Sequence, residues 1–238
     1  MTHVLLLASN PATSPVTGWP IGFWWAELSH AWLAFHDAGY DITIASPEGG
    51  ELQADPWSDP DHETGYAAHD VISAGFKTAP LTRDLIKATP KLADLSPDTF
   101  DAVFVAGGQG PMVTMIDDTA TQDWIARFYE AGKMTGLVCH GTCLLLKTKL
   151  SDGSLLAEGK TWTGFADSEE QYVEHAAGMK IQPFWIETEA QKITDTNFIT
   201  GGTMVPFAVR DGNLVTGQQQ LSAAAAASKM IAALGSAN

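Results

Sequence analysis

Cysteine is scarce in this chain. Its 238 residues contain only Cys139 and Cys143, too few for a disulfide framework. Positive charge is scarce as well: 13 Lys and Arg stand against 28 Asp and Glu, a formal net charge of −15. That balance argues against a nucleic-acid backbone or an anionic membrane surface as a partner. No run reaches the roughly 18 apolar residues of a membrane span, and Met1–Ala8 carries no basic leader. The expected location is the cytoplasm, where a thiol stays reduced. Compact metal-ligand spacing is missing too. Asp59, Asp61, His62, Glu63 and His69 read as a solvated loop, and neither a metal nor a cofactor is expected. With no repeats, heptads or long linker, and a hydrophobic content of 45%, residues 1–238 are expected to form a single domain.

What is present is an alternation of strands and helices. Val4–Ala8, Ala102–Ala106 and Met134–Val138 are apolar runs suited to strands buried on both faces, and Asp41–Ala45 reads as another strand. Phe23–Ala38 predicts a helix with Leu28, Ala31, Phe35 and Ala38 on one stripe and Gly39 as its stop. Further helices are predicted over Thr119–Ala131, Ser168–Ala176 with Ser168 as N-cap, and Ser222–Leu234 with Ser222 as cap. Asp211-Gly212 predicts a hairpin turn. The stretch Glu51–His69 is polar and irregular, longer than an ordinary connection, and suited to a lid or binding loop. The expected fold is α/β, a mostly parallel sheet sandwiched by helices in a flavodoxin-like arrangement, with its site at the carboxyl ends of the strands.

Cys139 sits at one such end, between the Met134–Val138 strand and an apolar helix beginning over Thr142–Thr148. A helix N-terminus beside the sulfur is expected to favour the thiolate. His140 is the adjacent base, and a carboxylate that orients its imidazole would complete a triad. Asp167, Glu169 and Glu170 are all candidates for that third place; each also has the plain reading of helix-end electrostatics. Gly107-Gly108-Gln109-Gly110 ends another strand. It is either a tight turn or a source of backbone amides for an oxyanion, together with the amide of His140. It does not match the dinucleotide fingerprint, which argues against NAD. Glu27 lies in a helix beside Trp24 and Trp25. It is either on an exposed face or held among aromatics, where desolvation raises its pKa and lets it move protons. Cys143 reads as a packed core thiol. The early tryptophans, Trp19, Trp24, Trp25, Trp32 and Trp57, are either core or the walls of a pocket.

Taken in order, several motifs resemble the ThiJ/PfpI (DJ-1) superfamily, in its heat-shock-protein-31-like, glyoxalase III branch, over nearly the whole chain. They are Gly22-Phe-Trp-Trp-Ala-Glu-Leu28, Ala38-Gly-Tyr-Asp-Ile-Thr-Ile-Ala-Ser-Pro-Glu-Gly-Gly50, Asp55-Pro-Trp-Ser58, Phe100-Asp-Ala-Val-Phe-Val-Ala-Gly-Gly108, Val138-Cys-His-Gly141, Thr163-Gly-Phe-Ala-Asp-Ser-Glu-Glu170 and Leu214-Val-Thr-Gly-Gln218. The resemblance implies a class I glutamine amidotransferase-like fold. It implies Cys139 as nucleophile, His140 as its partner, Glu27 as the carboxyl of the cysteine pocket, and Glu170 as third member, with Asp167 and Glu169 as fallbacks. Gly107, Gly108, Gln109 and Trp24 would form the oxyanion and substrate-binding positions.

The activity so implied is a cofactor-independent, glyoxalase-type lyase on a small molecule, converting methylglyoxal to lactate, in a stress-related homodimer. The alternatives are another cysteine-dependent hydratase or hydrolase on the same scaffold, such as an isonitrile hydratase, or a stress-related holding chaperone. Two residues depart from the branch. Gln109 replaces the histidine of its usual Gly-Gly-His-Gly, and Thr142 replaces the proline after Cys-His-Gly. With the tryptophan-rich segment before Glu27, they point to a substrate larger or more aromatic than methylglyoxal.

Overall fold

Residues with no polar edge to show to water fix the centre of the molecule. Val4, Leu5, Leu6 and Leu7 are all fully buried, as a strand covered on both faces requires. They lie in β1 (His3–Leu7), which pairs in parallel with β2 (Asp41–Ala45) on one side and β3 (Ala102–Val105) on the other. β4 (Met134–Val138) follows β3, also in parallel, and then β6 (Leu214–Gly217). β5 (Ala208–Asp211) closes the edge antiparallel to β6 through the Asp211-Gly212 turn, with Gly212 at φ 60°. The order is therefore β2-β1-β3-β4-β6-β5. This is the mostly parallel, helix-flanked sheet expected from the sequence, seen in a computed structural model that describes residues 1–235.

The helices are α1 (Trp25–Asp37), α2 (Val71–Thr78), α3 (Thr119–Glu130), α4 (Asp167–Ala177), α5 (Ile186–Ala190) and α6 (Ala223–Leu234). The expected stripe of α1 is present: Leu28, Ala31 and Phe35 are fully buried. It packs on α6, whose alanines let it lie close to the sheet. A Cβ on Gly136 of β4 would stand 2.4 Å from the Met230 sulfur of α6 and 3.0 Å from the Phe104 ring, so a side chain there would have to displace Met230. α2 has no counterpart in the sequence reading. It is eight residues long and buries only Ser73 and Phe76, too little to register as a periodic stripe. Among the described residues no helix is long and apolar enough to cross a membrane.

Three local expectations are corrected. The segment after Cys139 is a 3₁₀ helix over Cys139–Leu146, not the start of an α-helix. Ser168 does not cap α4. Ala166 holds that position, and Glu169 Oε2 accepts its amide at 3.1 Å, while Ser168 Oγ meets Thr203 Oγ1 at 3.1 Å. Ser222 sits at the N-cap of α6, but its hydroxyl accepts the Phe207 and Gln219 amides instead of a helix donor.

Candidate active site

The ends of β3 and β4 and the first turn of α1 meet at one point. Cys139 leaves β4 with φ 56°, in the left-handed region that costs a side-chain-bearing residue energy and that concentrates at functional positions. The turn is sharp because Gly141 packs against backbone: its Cβ would lie 3.1 Å from the carbonyl oxygens of Val105 and Ala106. The thiol is thereby aimed at the β3 end, where Gly107 fits only because it lacks a Cβ. A Cβ there would lie 2.7 Å from Glu27 Oε2, 2.8 Å from the Val138 carbonyl and 2.9 Å from Cys139 Cβ.

Glu27, in the first turn of α1, is fully buried. The Gly107 amide donates to its Oε2 at 2.5 Å, the Cys139 side chain lies beside it across Gly107, and Oε1 has no hydrogen-bond partner. The exposed-face reading of this residue is thus excluded. Burial pushes its pKa up to about 8, against the pull of the Cys139 side chain and the Gly107 amide. At neutral pH it is a neutral acid with a proton to give.

The expectation that the turn lowers the pKa of Cys139 is overturned. Burial, and then the Glu27 carboxyl beside it, push the thiol well above its ordinary value; the His140 and Gly108 amides pull the other way without prevailing. A base must therefore take its proton. His140 Nδ1 lies 3.4 Å from Cys139 Sγ, and its Nε2 lies 2.9 Å from Glu170 Oε1. The ring is stacked on Phe165, centroids 4.3 Å apart. A Glu170 carboxylate accepting from Nε2 leaves Nδ1 as an acceptor facing the sulfur. The other two acids are engaged elsewhere. Glu169 Oε1 accepts from Gln218 Nε2 and the Met204 amide, and Asp167 accepts from the Thr188 hydroxyl and amide. The amides of Gly108 and His140 both face the sulfur, the geometry an oxyanion on a substrate bound there would meet.

Asp55 and Ser58, which the sequence offers only as the ends of a matched motif, have roles that the structure brings out. Asp55 is fully buried. It accepts the Gly22 amide at 2.9 Å and the Gln109 amide at 2.6 Å, and burial pushes its carboxyl up to about 7 against those bonds. Ser58 Oγ accepts the Trp25 amide at 3.1 Å, capping the first turn of α1 from a distant loop. Asp55-Pro-Trp-Ser58 therefore ties the irregular loop to the helix that carries Glu27 and to the strand end that carries Gly107. In the same loop Lys77 Nζ bridges Asp59 and Asp61, and His62 Nδ1 pairs with Thr64.

Above Cys139 opens a cavity of about 290 Å³ walled by Trp19, Trp24, Trp57 and Tyr66, with Gln109 and Phe165 nearer the thiol. Gln109 Oε1 is buried there without a hydrogen-bond partner. Trp24 and Gln109 thus line the cavity and Gly108 joins them, whereas Gly107 lies beneath, against Glu27 and Cys139. Cys143 is fully buried, its thiol pushed up by burial, and belongs to the core.

The family model for DJ-1/PfpI matches residues 22–233. The chain belongs to the DJ-1/PfpI family. Among its curated relatives is Glyoxalase 3 of Candida albicans, 30% identical over 240 residues, which span 98% of both chains. Another is the probable glutathione-independent glyoxalase hsp3103 of Schizosaccharomyces pombe, 28% identical over 95% of this chain and 96% of that one. Among solved structures, the Rapid Encystment Protein 24 KDa of Francisella tularensis superposes with a TM-score of 0.87 at 23% identity, over 99% of this chain and 100% of that one. At that identity it speaks for the shared fold.

Proposed function

We propose that this DJ-1/PfpI protein is a glutathione-independent glyoxalase that converts a 2-oxoaldehyde to a 2-hydroxy acid. The observation that carries the reading is Glu27, a fully buried carboxyl set beside Cys139, with Oε2 accepting the Gly107 amide and Oε1 left without a partner; burial raises its pKa to about 8. A simple hydrolase needs a nucleophile, a base and an oxyanion site; an internal proton transfer between carbons needs a further acid and base within the closed site. The relatives named glyoxalase, matched over almost their whole length, support the same activity.

The steps follow from the atoms present. His140 Nδ1 takes the Cys139 proton as the sulfur adds to the aldehyde carbon, and Glu170 holds the resulting imidazolium. The Gly108 and His140 amides receive the developing oxyanion. The imidazolium returns its proton to that oxyanion, leaving a neutral hemithioacetal and a free His140 base. His140 then takes the hydrogen on the former aldehyde carbon as a proton while Glu27 protonates the ketone oxygen, giving an enediol. The proton on His140 goes to the former ketone carbon, and the hydroxyl on the first carbon gives its proton back to Glu27. The first carbon is oxidised and the second reduced by the same electron pair, so no external oxidant is needed. The resulting thioester is cleaved by water: the carbon–sulfur bond breaks, a carbon–oxygen bond forms, and the hydroxy acid departs. The whole chain acts as one catalytic domain in this reading.

The test is lactate formation from methylglyoxal without glutathione or added metal, for the parent and Cys139→Ala. Turnover in the parent that vanishes in the variant is the expected result. A parent that forms no hydroxy acid from any 2-oxoaldehyde overturns the reading.

A further inference from the structure

The chemistry at Cys139 needs only a small dicarbonyl group, yet the space above it is built for something else. Four aromatic rings form one continuous wall. Trp24 meets Tyr66 edge to face, centroids 6.1 Å apart; Tyr66 meets Trp57 at 6.4 Å; Trp57 meets Trp19 at 5.4 Å. The three tryptophans are only half-buried, and Tyr66 is 44% exposed. They leave aromatic surface turned to the cavity, which a ring-bearing ligand would cover in offset or edge-to-face contact. At about 290 Å³ the cavity has room for roughly ten waters at their liquid share of about 30 Å³ each. A three-carbon oxoaldehyde would leave most of that space, and all of the wall, unused.

Charge points the same way. Among the described residues no Lys or Arg lines the cavity, whose one carboxyl is that of Asp55, so a phosphorylated or carboxylated substrate would find no Lys or Arg counter-charge there. The polar groups open to a ligand sit at the thiol end: the Gly108 and His140 amides that face the sulfur, and Gln109 Oε1, which has no hydrogen-bond partner. A ligand that fits is therefore neutral and amphipathic, with oxygens at the sulfur and an apolar ring toward the mouth.

From this we infer that the preferred substrate is an aryl-substituted 2-oxoaldehyde, its ring seated against Trp19, Trp24, Trp57 and Tyr66 and its aldehyde carbon at Cys139. The inference rests on the activity proposed above. The balance of the reaction is unchanged, with water supplying the carboxyl oxygen and the aryl-bearing carbon receiving the proton. For phenylglyoxal the product is mandelate, whose new negative charge is unmatched by any cation in the cavity and favours its release.

The experiment compares kcat/KM for phenylglyoxal and methylglyoxal in the parent, in Trp57→Ala and in Trp19→Ala. Alongside it, binding of two neutral, unreactive analogues, 2-hydroxyacetophenone and hydroxyacetone, is read from protection of Cys139 against a thiol reagent. The expected result is at least a tenfold preference for phenylglyoxal, lost in the tryptophan variants mainly through KM, with methylglyoxal turnover nearly unchanged. Equal kcat/KM for the two aldehydes in the parent overturns the inference and leaves the glyoxalase reading standing, as does a loss in the variants that strikes both equally. If neither aldehyde is turned over, the glyoxalase reading fails. The analogues then decide the aromatic site alone: tighter protection by 2-hydroxyacetophenone, weakened by Trp57→Ala, sustains it, and equal protection sinks it.

Discussion

His140 Nε2 lies 2.9 Å from Glu170 Oε1, a pair drawn from residues thirty apart and enclosed on every side by protein. It fixes which ring nitrogen is left to face the sulfur. In Glu170→Gln the replacement amide can present a donor to Nε2, which then becomes the acceptor and puts the proton on Nδ1, where it is useless to the thiol. We expect kcat to fall by about 10²–10⁴-fold, the usual range for a lost proton-transfer partner, with little change in KM. Steady-state kinetics with a 2-oxoaldehyde checks this, and a kcat within a few-fold of the parent would remove Glu170 from the mechanism.

In the proposed mechanism Glu27 ties activity to stability through its proton. Its pKa is about 8 in the fold against an ordinary value of 4.5, so the folded state binds more protons than the unfolded one between those values. Stability is then fully present below about pH 4.5 and declines as pH rises through about 8. Asp55, raised from 3.8 to about 7, adds a decline of the same sign over its own window. Urea unfolding from pH 5 to 8.5 should show the parent losing several kcal/mol. Glu27→Gln, which keeps an oxygen for the Gly107 amide, should show a flatter profile and lose turnover. A parent profile that rises with pH over this window would contradict a neutral Glu27.

The positive φ of Cys139 separates its chemistry from its conformational cost. Cys139→Ala and Cys139→Gly should both abolish turnover, but glycine tolerates φ 56° without the side-chain clash. Cys139→Gly is expected to equal or exceed Cys139→Ala in stability, by up to about 1–2 kcal/mol, despite glycine's greater flexibility when unfolded. Denaturant midpoints of the two variants make the comparison directly.

Ser58 works at a distance. Removing its hydroxyl leaves the Trp25 amide at the start of α1 without its acceptor, at a cost of about 1 kcal/mol. Because Glu27 occupies the same turn, Ser58→Ala should also lower kcat several-fold while leaving the reactivity of the protein's surface lysines unaltered. Conservative Ser58→Thr should restore both stability and rate.

Much of the fold could be read from local patterns, because strands buried on both faces leave uninterrupted apolar runs and Gly39 and Gly212 punctuate them. Cys139, His140 and the acids near residue 170 were visible as a cluster for the same reason: they lie at the ends of such elements. What escaped was settled by distant partners. The state of the Cys139 thiol depends on Glu27, which reaches it only once α1 packs over β3. Asp55 and Ser58 look like ordinary loop residues until their acceptors are seen meeting amides of Gly22, Trp25 and Gln109. Ser168 has the right chemistry for a cap, yet its hydroxyl found Thr203 instead. Choosing Glu170 from among three neighbouring acids likewise required knowing what Glu169 and Asp167 were already holding.

The positions beneath the thiol are fixed by atoms that are not there. Gly107, Gly108 and Gly141 each pack where a Cβ would meet backbone or a reacting group, so this floor tolerates almost no change. The aromatic walls come from two stretches outside the sheet, the residues before α1 and the loop carrying Trp57 and Tyr66. On the function proposed above, reaction and selectivity are inherited on separate lengths of chain. A lineage could retune what enters this protein by rewriting its loops while the proton-transfer machinery passed unaltered from one descendant to the next.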